Sequence, residues 1–208
     1  MLKQQIWLNL VNKIVRTNRE RPIRVLKEHA ISAVGVIFAL VLMASVVTAE
    51  TVTSKKWGFN ATFPGQSKMS VSPVQTQVGE VTLVTYSNGN DNDTQAFIIA
   101  LSDYPKGSTL SYDRGIEGAV SSVNGTLRSR VPYKLGNING FDFLIDGPSA
   151  ASTQNTLVFH ERIFIVGKRL YQVLYDGPTG TEQSAEVLSF LNSFKLQHTE
   201  NKTKQGIK

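Results

Sequence analysis

Cysteine is absent from this chain of 208 residues. Without a thiol, the protein cannot form disulfides, use a thiolate nucleophile, or bind zinc or an iron–sulfur cluster through cysteine. Histidine is scarce as well. His29 and His198 lie near the two ends of the chain, and only His160 lies in its central part. One histidine cannot supply the ligands of a histidine-rich metal site, so we predict no metal site and no cofactor.

The short patterns that mark common enzyme classes are also missing. The sequence contains no G-x-S-x-G, S-x-x-K, H-E-x-x-H or P-loop pattern. Asp91 and Asp93 share a spacing with calcium loops, but the glycine and the distal glutamate of such loops are missing, so we predict a polar turn. Asp142 and Asp146 are interpreted as scattered surface charge rather than a glycosidase pair. No catalytic residue is predicted.

The net charge of +6 comes mostly from the N-terminal quarter of the chain. Residues 1–49 hold seven Lys and Arg against Glu20 and Glu28, which leaves 15 basic and 14 acidic residues for the remainder. The rest of the chain is therefore almost neutral, with a net charge of +1. Net charge gives no reason to expect a polyanion as partner, and we predict no nucleic-acid binding.

Residues 31–49 form an uncharged run that follows this basic segment. The run ends in Val-Thr-Ala, and small residues before a cleavage site are typical of a secretory signal peptide, so we predict cleavage after Ala49. The run is also close to the roughly 20 residues that cross a bilayer, so an uncleaved N-terminal membrane anchor is the alternative. Translation from Val25 would shorten the basic segment and is left open.

Both interpretations place the rest of the protein outside the cytoplasm, because the basic flank stays inside. The expected location is periplasmic or secreted, or anchored in the inner membrane through residues 31–49. We predict one domain over residues 50–196 and a flexible polar tail over residues 197–208.

Apolar alternation and turn residues predict mostly strands in that domain. The predicted strands span 57–63, 78–86, 94–103, 126–135, 140–146, 157–166 and 169–175, and residues 51–56 and 66–77 are predicted as irregular. Gly167-Lys168 is predicted as the two-residue turn of a hairpin. A helix is predicted over 109–124, capped by Ser108 or Thr109, and a second apolar stripe predicts a helix ending near Phe194. Thr179 and Glu182 have the spacing of a capping box.

The fold class predicted is α+β, an antiparallel sheet flanked by two helices and preceded by the N-terminal hydrophobic helix. Within the hairpin, His160 and Arg162 share one side of a strand and Glu161 faces the other. The favoured explanation for these polar residues is a strand face turned to solvent or to a hairpin partner. Tyrosines near these basic residues suggest a binding groove, whose predicted lining is Tyr104, Tyr133, Arg162 and Tyr171, with Tyr175 and Arg169 as further candidates.

Several strings in the chain resemble a known group of proteins. They are Phe63-Pro64-Gly65, Asp103-Tyr104-Pro105, Gly140-Phe141-Asp142-Phe143, RIFIVGKRLYQV from Arg162 and FLNSFK from Phe190. The pattern is similar to exported bacterial proteins with a PsbP-like α/β sandwich. The resemblance implies that fold over about residues 57–196. Photosystem members of the group bind other proteins and in some cases metal ions. No matching ligand set is found in this sequence, so none of their sites is carried over, and a shared fold does not imply a shared function.

The function predicted is that of a non-enzymatic exported domain that binds or supports a protein or an envelope component. Two alternatives remain. A small-molecule binding module would use a groove between sheet and helix, and a hydrolase would use acidic residues dispersed along the sequence. An apolar groove would favour the first alternative, and a deep pocket with convergent carboxylates the second.

Overall fold

An antiparallel sheet of seven strands forms the centre of the structure. The computed structural model describes residues 48–76, 78–89, 94–148 and 156–197. Its strands are β1 (Glu50–Ser54), β2 (Phe59–Phe63), β3 (Lys68–Thr76), β4 (Gly79–Gly89), β5 (Ala96–Asp103), β6 (Thr126–Leu135), β7 (Ile138–Pro148), β8 (Thr156–Val166), β9 (Arg169–Pro178) and β10 (Lys195–Leu196). Its helices are α1 (Tyr112–Ser122) and α2 (Ala185–Ser193).

The large sheet has the strand order β3-β4-β5-β9-β8-β7-β6, so the hairpin of β8 and β9 lies in its middle. Val166 pairs with Arg169 across a two-residue turn, in which Gly167 has a φ of 61°. Glycine adopts this left-handed conformation without the steric cost that a Cβ adds, which fits a tight hairpin turn. The predicted hairpin is confirmed.

Both faces of the central strands are covered. On β8, Val158 and Phe164 belong to an apolar cluster that contains residues of α2. Phe159 and Ile163 belong to a second cluster, which contains residues of α1. Each fully buried side chain of this size stabilises the fold by roughly 1.5–3 kcal/mol, so the two clusters supply the main driving force for folding.

A small sheet with the order β1-β2-β10 packs beside α2 on the same face. The rings of Phe63 and Phe190 are 5.1 Å apart, and those of Phe59 and Phe194 are 5.7 Å apart. These pairs connect β2 to α2 and to the residue that follows it. The small sheet therefore closes the core on the side of the large sheet that α1 does not cover.

The predicted α+β class, with an antiparallel sheet and two helices, is confirmed. The predicted N-terminal helix lies outside the described residues, since residues 1–47 are not among them. Neither α1 nor α2 combines the length and the apolar character that crossing a bilayer requires. Gln197, assigned to the tail by sequence, donates its backbone N–H to the Gly58 carbonyl at 2.8 Å. Residues 198–208 lie outside the described part.

Two segments predicted to be irregular are strands. Residues 68–76 form β3 despite Pro73, because β3 is an edge strand and a proline there need not donate to a neighbour. Residues 50–54 form β1, although their apolar content is low, because β2 provides a pairing partner over its whole length. In both segments tertiary pairing outweighs a weak local preference for strand.

The helix starts also differ from the sequence prediction. Helix α1 begins at Tyr112 after Ser111, not after Ser108 or Thr109. Helix α2 is capped by Ser184, whose side-chain oxygen accepts a hydrogen bond from the backbone N–H of Val187 at 3.4 Å. The capping-box prediction from Thr179 is therefore wrong, because the chain forms a separate turn before this helix begins.

Two glycines of α1 allow a matched test of helix packing. A Cβ on Gly115 would lie 2.7 Å from Cδ1 of Ile163, whereas a Cβ on Gly118 would meet nothing within 4 Å. We expect Gly118→Ala to raise the free energy of unfolding by about 0.5–1 kcal/mol through helix propensity. Gly115→Ala should lower it by about 1 kcal/mol, since Ile163 is fully buried and overpacking costs more than propensity gains. Urea denaturation of both variants tests this, and equal stabilisation would contradict it.

Candidate functional site

A wide cleft lies at the end of the sheet where the hairpin turn is found. Its walls come from the β1–β2 turn, the segment after β5, the β6–β7 turn, the β8–β9 turn and strand β10. Its volume is about 1240 Å³. Residues far apart in the sequence thus meet at one place, because antiparallel strands bring alternate turns to the same end of a sheet.

Basic side chains dominate this cleft. Six of its lining residues are Lys55, Lys56, Lys106, Lys168, Arg169 and Lys195. Among the described residues, Asp103 is the one acidic residue of the lining. The near-neutral charge of the region after residue 49 therefore hides a local excess of five positive charges. A concave surface lined by one sign of charge concentrates anions near it.

None of the five lysines forms an ion pair with a carboxylate in the described residues. Two of them make other contacts. The Lys168 ammonium group donates to the backbone carbonyl of Ser108, and Nζ of Lys56 lies 4.7 Å from the centre of the Trp57 ring. Lys55, Lys106 and Lys195 are exposed. This makes the cleft a candidate anion-binding site.

Arg169 has a different role from the lysines, because it is already paired. Its Nε and one terminal nitrogen donate to the two carboxylate oxygens of Asp103 at 2.5 and 2.6 Å. Its other terminal nitrogen donates to the Trp57 carbonyl at 3.2 Å, and the Tyr171 hydroxyl donates to the same carbonyl at 2.7 Å. The hydrogen bonds to Asp103 raise the pKa of Arg169 further above its ordinary value. Arg169 therefore joins β5, β9 and the β1–β2 turn and holds the cleft wall in place.

The tyrosines and arginine of the predicted groove fall into two places. Tyr104 and Tyr171 line the cleft. Tyr171 is only 4% exposed, and burial raises the pKa of the Tyr104 hydroxyl. Tyr133 and Arg162 contact each other elsewhere, under α2, with the guanidinium carbon 4.2 Å from the centre of the ring.

Arg162 belongs to a buried polar network on the α2 side of the sheet. Its Nε donates to Asp142 at 2.7 Å, and a terminal nitrogen donates to the Tyr133 hydroxyl at 3.1 Å and to the Asn192 amide oxygen at 2.9 Å. Asn192 is in α2, so the network attaches the helix to β8. Of the two alternatives for this face, exposure to solvent is wrong because α2 covers it, and the partner of His160 and Arg162 is Asp142 of β7 instead of a residue of the hairpin.

His160 completes the network. Its Nε2 lies 2.8 Å from Oδ1 of Asp142, and its Nδ1 lies 3.0 Å from the backbone carbonyl of Glu182. Both partners accept hydrogen bonds, so whichever ring nitrogen carries a proton has an acceptor within reach. Burial acts to raise the pKa of Asp142, but the hydrogen bonds from His160 and Arg162 outweigh it and hold that pKa below its usual range. Ionised Asp142 therefore stabilises the fold at pH values above the pKa that this group has in the unfolded chain. The stabilisation is lost as the pH falls through the lower pKa that the group has in the folded protein.

Glu161 faces the opposite side of β8 and is also buried, with 1% exposure. It accepts a hydrogen bond from the Gln172 side chain at 2.6 Å, and burial raises its pKa to about 8. It is therefore protonated at neutral pH. The sequence pattern correctly separates Glu161 from His160 and Arg162, but it gives no sign that both faces are covered.

The other acidic candidates serve as ion-pair partners. Asp146 pairs with Arg128, which also pairs with Glu182 in the turn before α2. Asp91 and Asp93 lie outside the described residues. No group of three His, Asp or Glu side chains within the described ranges has the arrangement of a metal site.

Comparisons with known proteins agree with this fold. Neither a known protein family nor a curated protein matches the sequence. The structure is similar to the solution structure of cyanobacterial PsbP (CyanoP) from Synechocystis sp. PCC 6803, with a TM-score of 0.50 and 10% identity over 74% of this chain and 95% of that one. The chain therefore has a PsbP-like fold. At this identity the likeness concerns the fold alone.

Replacing Glu161 should change how stability depends on pH. Between its ordinary pKa of 4.5 and its folded pKa of about 8, the unfolded chain loses this proton while the folded chain keeps it. The contribution of Glu161 to stability therefore falls as the pH rises through this window. We expect Glu161→Gln to remove that decline, to match the wild type near pH 4 and to exceed it by roughly 1–3 kcal/mol at pH 8. Denaturation at several pH values measures this, and parallel curves would refute it.

Replacing Asp142 should reduce the free energy of unfolding more than replacing Asp146, which lies on the same face of β7. Asp142 is 17% exposed and neutralises Arg162, whereas Asp146 is 41% exposed and pairs with Arg128 at the surface. We expect Asp142→Asn to reduce the free energy of unfolding by about 3 kcal/mol, because a buried cation loses its partner. Asp146→Asn, the matched control, should cost about 1 kcal/mol or less. Thermal denaturation distinguishes the two, and similar losses would contradict the assigned roles.

Proposed function

We propose that this protein is an exported, non-enzymatic accessory domain that binds an anionic partner through the cleft at the turn end of its sheet. The observation that carries this proposal is the set of five cleft lysines without a carboxylate partner among the described residues. Such a site attracts an anion without needing to transform it.

The positions of five acidic residues support a binding role over the hydrolase alternative. Asp103, Asp142 and Asp146 each neutralise an arginine, and Glu182 does the same in the turn before α2. Glu161 is buried beneath α1, away from the cleft. These carboxylates act as structural groups, so a general acid paired with a free carboxylate base does not arise from them.

The location outside the cytoplasm is part of the proposal. It is supported by the basic segment before residues 31–49 and by the small residues before the predicted cleavage point. If residues 31–49 stay in the membrane, the domain stays attached to the envelope at its N-terminal end. If they are removed, the partner is met in solution. The cleft serves either arrangement.

Charge removal in the cleft tests the proposed function. We expect the triple variant Lys55→Gln, Lys106→Gln and Lys195→Gln to lose the partner that the tagged full-length protein captures in its host cell. The fold should be unchanged, because these three side chains are exposed. A matched control removes three exposed charges elsewhere, at Lys68, Lys134 and Arg114. Quantitative mass spectrometry of the captured material measures the difference, and equal capture by both variants would refute this function.

A further inference from the structure

The size of the cleft sets the first limit on its ligand. About 1240 Å³ exceeds the 300–1000 Å³ that is usual for small-molecule pockets. The cationic groups come from separate turns and from β10, so they surround the space instead of meeting at one point. A single small anion would reach only a few of them. A ligand with several charges spread along its length would reach most.

The kind of cation sets the second limit. Arginine recognises carboxylate and phosphate groups with a planar, two-pronged geometry, but Arg169 already uses that geometry on Asp103. The remaining cations are lysines, which act as mobile point charges. The site therefore selects for the number and spacing of negative charges more than for the shape of one anionic group.

Strand β10 adds a feature that suits an extended polypeptide. It is an edge strand of the small sheet, and Lys195, Leu196 and Gln197 all line the cleft. Leu196 is opposite Phe59, and the backbone N–H of Gln197 donates to the Gly58 carbonyl. In this register the N–H and C=O of Leu196 point away from β2. An added strand can use such outward groups, as in recognition by β-augmentation.

Apolar side chains also belong to the lining. The lining includes Leu135, Ile138, Val166 and Leu196, and Val166 is 38% exposed. A peptide strand presents successive side chains to opposite sides, so a segment that alternates acidic and aliphatic residues can satisfy both kinds of lining.

Single-stranded nucleic acid fits this cleft less well. Its non-specific binding relies on exposed aromatic faces on which bases stack. Tyr171 is 4% exposed, with its hydroxyl bound to the Trp57 carbonyl, and Lys56 and Arg169 lie over the Trp57 ring. A flat membrane surface fits less well too, because the cations surround a concave space.

We infer that the cleft binds an extended acidic segment of a partner protein, in which Asp or Glu alternates with aliphatic residues and the backbone pairs with the edge of β10. This inference rests on the proposed function and specifies its ligand. The lysines attract the segment, and strand pairing fixes its direction and register.

The experiment measures binding of labelled probes to the full-length protein, by fluorescence anisotropy in mild detergent for the soluble probes and by co-sedimentation without detergent for the vesicle. The first probe is a peptide of about eight residues that alternates Glu and Val, the length of an ordinary strand. The second has the same sequence with alternate backbone nitrogens methylated, which blocks strand pairing. The third is a single-stranded oligonucleotide of equal charge, and the fourth is a vesicle of anionic phospholipid.

We expect the first peptide to bind at about 0.05 M salt, at least about tenfold more tightly than the other probes, and to bind less well at about 0.5 M salt. The cleft triple variant should weaken its binding about tenfold, and the Lys68, Lys134 and Arg114 control should leave it unchanged. Equal binding of the methylated peptide, tighter binding of the oligonucleotide or vesicle, or no binding of the first peptide would overturn this inference. If host partners are still lost by the triple variant in those cases, the proposed function stands and the ligand class is wrong. If neither assay responds to that variant, both fail.

Discussion

Coverage of the central strands on both faces is the constraint on which the rest of the structure depends. A polar residue in β8 cannot reach solvent by pointing away from one core, because it then points into the other. On the α2 side, Asp142 therefore forms hydrogen bonds with His160 and Arg162. On the α1 side, Glu161 is protonated and accepts a hydrogen bond from Gln172. The cost of burying charge explains why these partners are present on both faces.

The same constraint decides where a partner can bind. The interior positions of the central strands are used for packing and for the polar networks, which leaves the turns and the edges of the sheets for recognition. Arg169 and Asp103 fix the turns at one end by joining β5 and β9 to the carbonyl of Trp57. A hydrogen-bonded frame with exposed lysines at its rim combines a preformed cavity with adaptable charges. Such a combination supports the proposed binding role, since catalysis requires groups held in a fixed geometry.

The sequence predicts local structure well where one interaction decides it. The hairpin follows from two apolar strands and a glycine-containing turn, and the apolar stripe of α1 follows from helical spacing. Sequence-based prediction fails where pairing with another strand decides the local structure, as in β1 and β3. It also cannot show that His160 is buried, because alternation along a strand tells which residues share a side and not whether a second layer covers that side. The buried network therefore becomes visible only when α2 is placed on the sheet.

The basic cleft, like the buried network, cannot be predicted from the sequence alone. Lys55 and Lys56, and Lys168 and Arg169, occur as basic pairs in turns, and only the strand order shows that these turns share one end of the sheet. Net charge cannot reveal such an arrangement, because acids elsewhere cancel it. Five lysines around one cavity repel each other and reduce stability slightly at low salt. An acidic ligand would relieve that repulsion as it binds, and its affinity and the stability that its binding adds would both weaken as salt increases. The exposed Lys55, Lys106 and Lys195 therefore have little structural value, which supports the proposed role of the cleft in binding.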